Sequence, residues 1–141
     1  MRTVFFGTPA VAVPALRALA ECSTVAGVVC QPDRPAGRGL SLREPEVKAA
    51  AHELGLDVYQ PAKVKTGELA DWVTARRAEV AVVMAYGRIL PRDVLDAPAH
   101  GCINLHASLL PRYRGAAPIQ WAIMRGETET GISLIDRKSV V

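Results

Sequence analysis

The run Val80-Ala81-Val82-Val83-Met84-Ala85 is apolar throughout, rich in β-branched side chains, and shows no alternation with polar residues. A strand with one wet face alternates; a strand covered on both faces does not, and both faces are covered almost only in parallel sheets flanked by helices. This run therefore predicts a central parallel strand, and the rest of the chain has to supply its neighbours and its covers. Shorter β-prone runs at 3–6, 25–30, 57–59, 101–107 and 131–135 read as those neighbours. Between them, 11–20, 45–54, 68–77, 92–95 and 118–125 carry apolar residues at helical spacing, two of them with Pro in the first turn. Strands alternating with helices predict an α/β, Rossmann-like fold with a mostly parallel sheet and helices on both faces. The stretch 31–44, with its prolines and glycines, reads as the longest loop.

Ligands in such sheets bind beyond the carboxyl ends of the strands, where the strand order reverses. That directs attention to the loops beginning at Gly7, Gln31, Tyr86 and Ser108. The 141 residues suit one domain, and the bulk composition is that of an ordinary globular chain. No apolar run approaches membrane length, and Gly7 interrupts the opening too early for a secretion signal, so a cytoplasmic location is expected. Three scattered cysteines, Cys22, Cys30 and Cys102, do not form a disulfide framework. The net charge of +3 permits a polyanionic partner without requiring one.

Asn104 and His106 stand two apart on a predicted strand, so their side chains share a face at its ligand end. Either alone reads equally well as a polar strand end bonded to loop backbone; the pair tilts the balance toward a site. The loop that follows, Ser108-Leu109-Leu110-Pro111, is apolar where loops are ordinarily polar. It suits the wall of a flat ligand, the alternative being a small apolar cluster under a loop. The stretch 31–44 carries Arg34, Arg38 and Arg43, which composition alone would assign to a solvated loop. Gly7-Thr8-Pro9 lacks the further glycines of a dinucleotide fingerprint. His100, Cys102 and His106 share a strand face but have no evident fourth ligand, so no metal is expected.

Four segments, in order, resemble the methionyl-tRNA formyltransferase family. They are Phe6-Gly7-Thr8-Pro9, Gln31-Pro32-Asp33-Arg34-Pro35-Ala36-Gly37-Arg38-Gly39, Ala85-Tyr86-Gly87-Arg88-Ile89-Leu90-Pro91, and the stretch from Gly101-Cys102-Ile103-Asn104-Leu105-His106 through Ala117-Pro118-Ile119-Gln120. The shorter Asn-x-His with Ser-Leu-Leu-Pro is common to folate-dependent formyltransferases of this fold. The resemblance implies transfer of a formyl group from 10-formyltetrahydrofolate to the amine of methionyl initiator tRNA, in support of translation initiation. It implies catalysis by Asn104 and His106, folate binding by Ser108, Leu109, Leu110 and Pro111 with backbone near Ile89 and Leu90 facing the pterin, and tRNA contact by Arg38. It implies no metal, and the chain is read as a monomer. A formyltransferase for an amino sugar or glycinamide ribonucleotide, a noncatalytic folate- or RNA-binding domain, and an inactive fragment remain open as alternatives.

After Gly131-Ile132-Ser133-Leu134-Ile135 the family continues into Asp-x-Gly-Leu-Asp-Thr-Gly, whose second aspartate completes its catalytic set; here Asp136-Arg137-Lys138-Ser139-Val140-Val141 follows instead. Asp136 comes too early to take that role. The expectation is a partial amino-terminal domain over 1–135, a divergent tail over 136–141, no carboxyl-terminal domain, and impaired transfer by this chain alone.

Overall fold

The structure is a computed structural model, and it describes residues 1–137. The end of the tail expected over 136–141, residues 138–141, lies outside the described residues. The first strand, β1 (Arg2–Gly7), leads through a single 3-10 turn at Ala10–Ala12 into α1 (Val13–Cys22). β2 (Thr24–Val29) follows, then a two-stranded ribbon of β3 (Arg34–Ala36) and β4 (Ser41–Arg43), and α2 (Glu46–Glu53). β5 (Val58–Tyr59), α3 (Glu68–Ala75), β6 (Val80–Met84), α4 (Arg92–Asp96), β7 (Cys102–His106), α5 (Pro118–Met124) and β8 (Ser133–Asp136) complete the described chain.

The main sheet has the order β5-β2-β1-β6-β7-β8. All its pairs are parallel except the last, where β8 runs antiparallel to β7. The Rossmann-like α/β reading holds, with the mostly parallel sheet that the sequence predicts. The central run owes its lack of alternation to the presence of two cores. Val4 and Phe6 of β1, with Ala81 and Val83 of β6, pack under Leu69 and Val73 of α3 and Val94 of α4. Phe5, with Val82 and Met84, faces the other way, against Leu16 of α1 and Val47, Ala50 and Ala51 of α2. Val4, Phe5 and Phe6 are all fully buried, so each successive residue of β1 enters a different core.

The stretch 31–44 differs from its reading as a loop. Its middle pairs antiparallel, Arg34 opposite Arg43 and Ala36 opposite Ser41. Gly37 and Gly39 take positive φ of 72° and 96° to reverse the chain. The signal was weak because Pro35 sits within the first strand and neither strand has a buried face to impose alternation.

Candidate active site

The strand order places the switch point between β1 and β6: from β1 the chain moves outward to β2 and β5, then returns to the other side of β1. Beyond the carboxyl ends of β1, β6 and β7 lies a cavity of about 580 Å³. Its floor and near wall come from Pro9, from Val83 to Leu90, and from Asn104 to Ala107; the far wall is Gly115 to Gln120. Its charged lining consists of Arg88 and Arg137, and no carboxylate lines it among the described residues. The positive, partly apolar enclosure favours groups that carry or develop negative charge.

Asn104 and His106 both line this cavity, as two residues of one strand face should. Asn104 is half-buried, and its side-chain amide has no hydrogen-bond partner among the described residues. It is a donor already in position and uncommitted. The His106 Nε2 lies 2.8 Å from the Tyr113 carbonyl oxygen. A carbonyl only accepts, so Nε2 carries a hydrogen and donates it, which leaves Nδ1 as the nitrogen free to take or hold a second proton.

The carbonyl that orients His106 is itself braced. The Tyr113 hydroxyl donates to Glu127 Oε1 at 2.6 Å, and Arg112 Nη1 pairs with the same carboxylate at 3.2 Å. That hydrogen bond to Glu127 holds the Tyr113 phenol above its ordinary pKa. Backbone strain also gathers around the cavity. Ala85 (φ 49°) and Ala117 (φ 57°) line it, and Tyr113 (φ 54°) supplies the carbonyl to His106; all three hold a left-handed conformation without being glycine.

Ser108, Leu109, Leu110 and Pro111 do not line this cavity. Ser108 is fully buried, its hydroxyl donating to the Arg112 carbonyl at 2.7 Å, while its own carbonyl accepts from Ser133 Oγ at 2.7 Å. The Leu110 N–H donates to the same Ser133 hydroxyl at 3.1 Å. The segment is therefore tied to the start of β8 rather than turned toward the cavity. Ile89 and Leu90 do line it.

Arg38 sits on the exposed tip of the β3–β4 ribbon, away from the cavity lining. A second, more open cavity of about 490 Å³ lies between the ribbon and the switch point, lined by Gln31, Arg34, Arg43, Glu44 and Glu46 among others. Pro9 and Ala85 to Gly87 belong to both linings and so form the partition between the two spaces. No group of three or more His, Cys, Asp or Glu side chains that could hold a metal occurs among the described residues. No helix among them is long and apolar enough to cross a membrane.

Sequence reasoning found the strand face and the four loops that line the two cavities, but gave no role to Tyr113, Arg88, Arg137 or Gln31. Tyr113 acts through its main chain, which leaves no trace in residue type. Arg88 and Gln31 carried a usable signal, since both lie in loops at the predicted ligand end.

The family model described as formyl transferase matches residues 1–136. A methionyl-tRNA formyltransferase of Sorangium cellulosum is 68% identical over 135 residues, covering 96% of this chain and 43% of that protein. Another, of Pelotomaculum thermopropionicum, is 54% identical over 134 residues, covering 94% of this chain and 43% of that protein. The chain thus spans less than half the length of these relatives. In shape it is similar to glycinamide ribonucleotide transformylase 1 of Geobacillus kaustophilus, with a TM-score of 0.72 at 22% identity over 94% of this chain and 72% of that one. It is also similar to the phosphoribosylglycinamide formyltransferase of Bacillus halodurans, with a TM-score of 0.73 at 17% identity over 95% of this chain and 70% of that one. These two likenesses speak for the fold, while the matched model and the high sequence identity speak for descent: the chain belongs to the formyl transferase family.

Proposed function

We propose that this chain carries the donor site and the reacting groups for transfer of a formyl group from 10-formyltetrahydrofolate to the α-amine of methionyl initiator tRNA. One observation carries the reading: an uncommitted amide and an oriented imidazole open together into a cavity at the switch point that has cationic but no acidic lining among the described residues. The cavity's size and its largely apolar walls fit a pterin, with Ile89, Leu90 and Gly115 to Ala117 around the ring. Ser108 to Pro111 serve the donor from behind, by fixing the course of the chain between His106 and Tyr113.

In the reaction the amine nitrogen bonds to the formyl carbon and the carbonyl π electrons move onto oxygen. Asn104 donates to that oxyanion, an effect worth ~3 kcal/mol per donor in acyl chemistry. The His106 Nδ1 takes the proton that the amine loses and returns it to the departing folate nitrogen as the carbon–nitrogen bond breaks, so no net proton is consumed. Arg38, on the exposed ribbon tip, contacts the RNA through phosphate or by stacking. A chain that does this works where translation begins, in the cytosol, and needs no metal.

The test is calorimetric titration of the chain with 5-formyltetrahydrofolate, followed by single-turnover transfer from 10-formyltetrahydrofolate to methionyl initiator tRNA, glycinamide ribonucleotide or an amino-sugar nucleotide. The expected result is folate binding, slow transfer by this chain and to the tRNA alone, and a further loss of at least ~10²-fold in Asn104→Ala and His106→Ala with folate binding kept. A folded chain that binds no folate, or transfer undiminished in both variants, would falsify the assignment.

A further inference from the structure

Gln31 is 5% exposed, stands two residues past β2, and uses both polar atoms of its side-chain amide. Its Nε2 donates to the Tyr86 carbonyl at 3.1 Å. Its Oε1 accepts from two guanidinium groups, Arg34 Nη2 at 2.8 Å and Arg88 Nε at 3.1 Å. The Thr8 hydroxyl donates to that same Tyr86 carbonyl at 2.9 Å and accepts from the Gln31 main-chain N–H at 3.4 Å.

These bonds join parts that are otherwise separate. Arg34 belongs to the ribbon and the second cavity, whereas Arg88 lines the first cavity and is anchored at its far end on the Ala62 carbonyl at 2.7 Å. Tyr86 is part of the partition between them. Neither arginine has a carboxylate partner among the described residues. The nearby Asp33 is committed elsewhere, to Lys48 Nζ at 3.0 Å and Gln60 Nε2 at 2.7 Å. Two cations meeting on a neutral oxygen, with no acid to separate them, depend on that oxygen staying where it is. The fit is close: a Cβ on Gly87, where φ is 90°, would lie 2.6 Å from Gln31 Nε2.

We propose that Gln31 is a positioning residue that fixes the β3–β4 ribbon, and with it Arg38, relative to the first cavity. It acts by clamping Arg34 from the ribbon and Arg88 from the cavity wall onto the partition. The inference rests on the reading above for its functional consequence alone; the clamp itself is independent of any ligand. When Gln31 is lost, the ribbon loses its register with the cavity, so an acceptor that uses both the ribbon and the cavity suffers while a donor that uses the cavity does not.

Pulsed electron resonance between nitroxides on the native, exposed Cys22 and on a Leu40→Cys substitution at the exposed ribbon tip reads the ribbon's position. A single narrow distance is expected in the parent chain, widened in Gln31→Leu and in Arg34→Gln. Arg88→Gln widens it in the presence of Gln31 and adds nothing in Gln31→Leu. Should Gln31→Leu not fold, the two arginine variants carry the distance test on their own. In parallel, affinity for a methionylated acceptor-stem RNA falls about tenfold in Gln31→Leu, the scale of one charge-assisted hydrogen bond, and that for 5-formyltetrahydrofolate stays within about twofold. Unchanged distance widths overturn the proposal, as does a fall of both affinities by the same factor. If the parent chain binds no such RNA, the acceptor reading is lost and the distance widths alone decide the clamp.

Discussion

A hydroxyl in a protein interior ordinarily finds a partner, and the Tyr86 hydroxyl, buried with none, is the exception among the described residues. Its ring is held by edge-on contact with Phe6 at 5.5 Å, and burial pushes the phenol up to about 12. Since the ring and not the hydroxyl holds the site together, Tyr86→Phe should leave the melting temperature unchanged or raise it, as calorimetry would read. Burial acts on Cys30 in the same way, raising its thiol to about 12, whereas Cys22 is exposed. The thiolate is the reactive form, so native protein at pH 8 should take up one equivalent of iodoacetamide, at Cys22, with Cys30 and Cys102 labelled only on unfolding. Fast native labelling of Cys30 would contradict the packing around it. At this scale the sequence was legible where side chains share a strand face that opens into the cavity, as for Asn104 and His106. It was silent where a main-chain carbonyl holds a side chain in place, as at Tyr113, and easily passed over where one amide collects bonds from loops far apart in the chain, as at Gln31.

At the scale of elements, β6 stood out because two-sided burial leaves a compositional mark. The β3–β4 ribbon left none, since its side chains stay in water and its pairing rests on backbone bonds. The direction of β8 was equally hidden, because an edge strand of this length packs in either sense. Where two elements meet tightly, the demands are sharper. The Trp72 ring of α3 lies over Gly27 of β2, stacked on Tyr59 at 5.1 Å and capped by Arg76 at 4.3 Å. A Cβ on Gly27 would collide with that ring, so Gly27→Ala should destabilise the fold by about 1–3 kcal/mol in urea titrations. The end of α3 predicts the opposite sign. Arg77 stands just past the helix cap with φ 51°, a left-handed position that glycine adopts without penalty. Arg77→Gly should therefore stabilise by about 0.5–1 kcal/mol.

For the molecule as a whole, acid should loosen the ribbon's base before the cores give way. Asp33 is held below the usual carboxylate range, chiefly by the hydrogen bond from Gln60 and then by that from Lys48. A carboxyl whose folded value is depressed adds stability that is fully present above its unfolded value and lost as pH falls through the folded one. The melting temperature of the parent chain should thus fall below about pH 4 more steeply than that of Asp33→Asn. Parallel curves for the two would show that the bonds to Gln60 and Lys48 add nothing. The sheet's order has a further consequence, in time rather than in space. β1 lies between β2, which follows it closely, and β6, which is encoded some seventy residues later. As the chain leaves the ribosome, its first strand must wait with one edge unpaired until the Val80 run emerges, so the partition between the two cavities cannot close before residues 80–87 have been made.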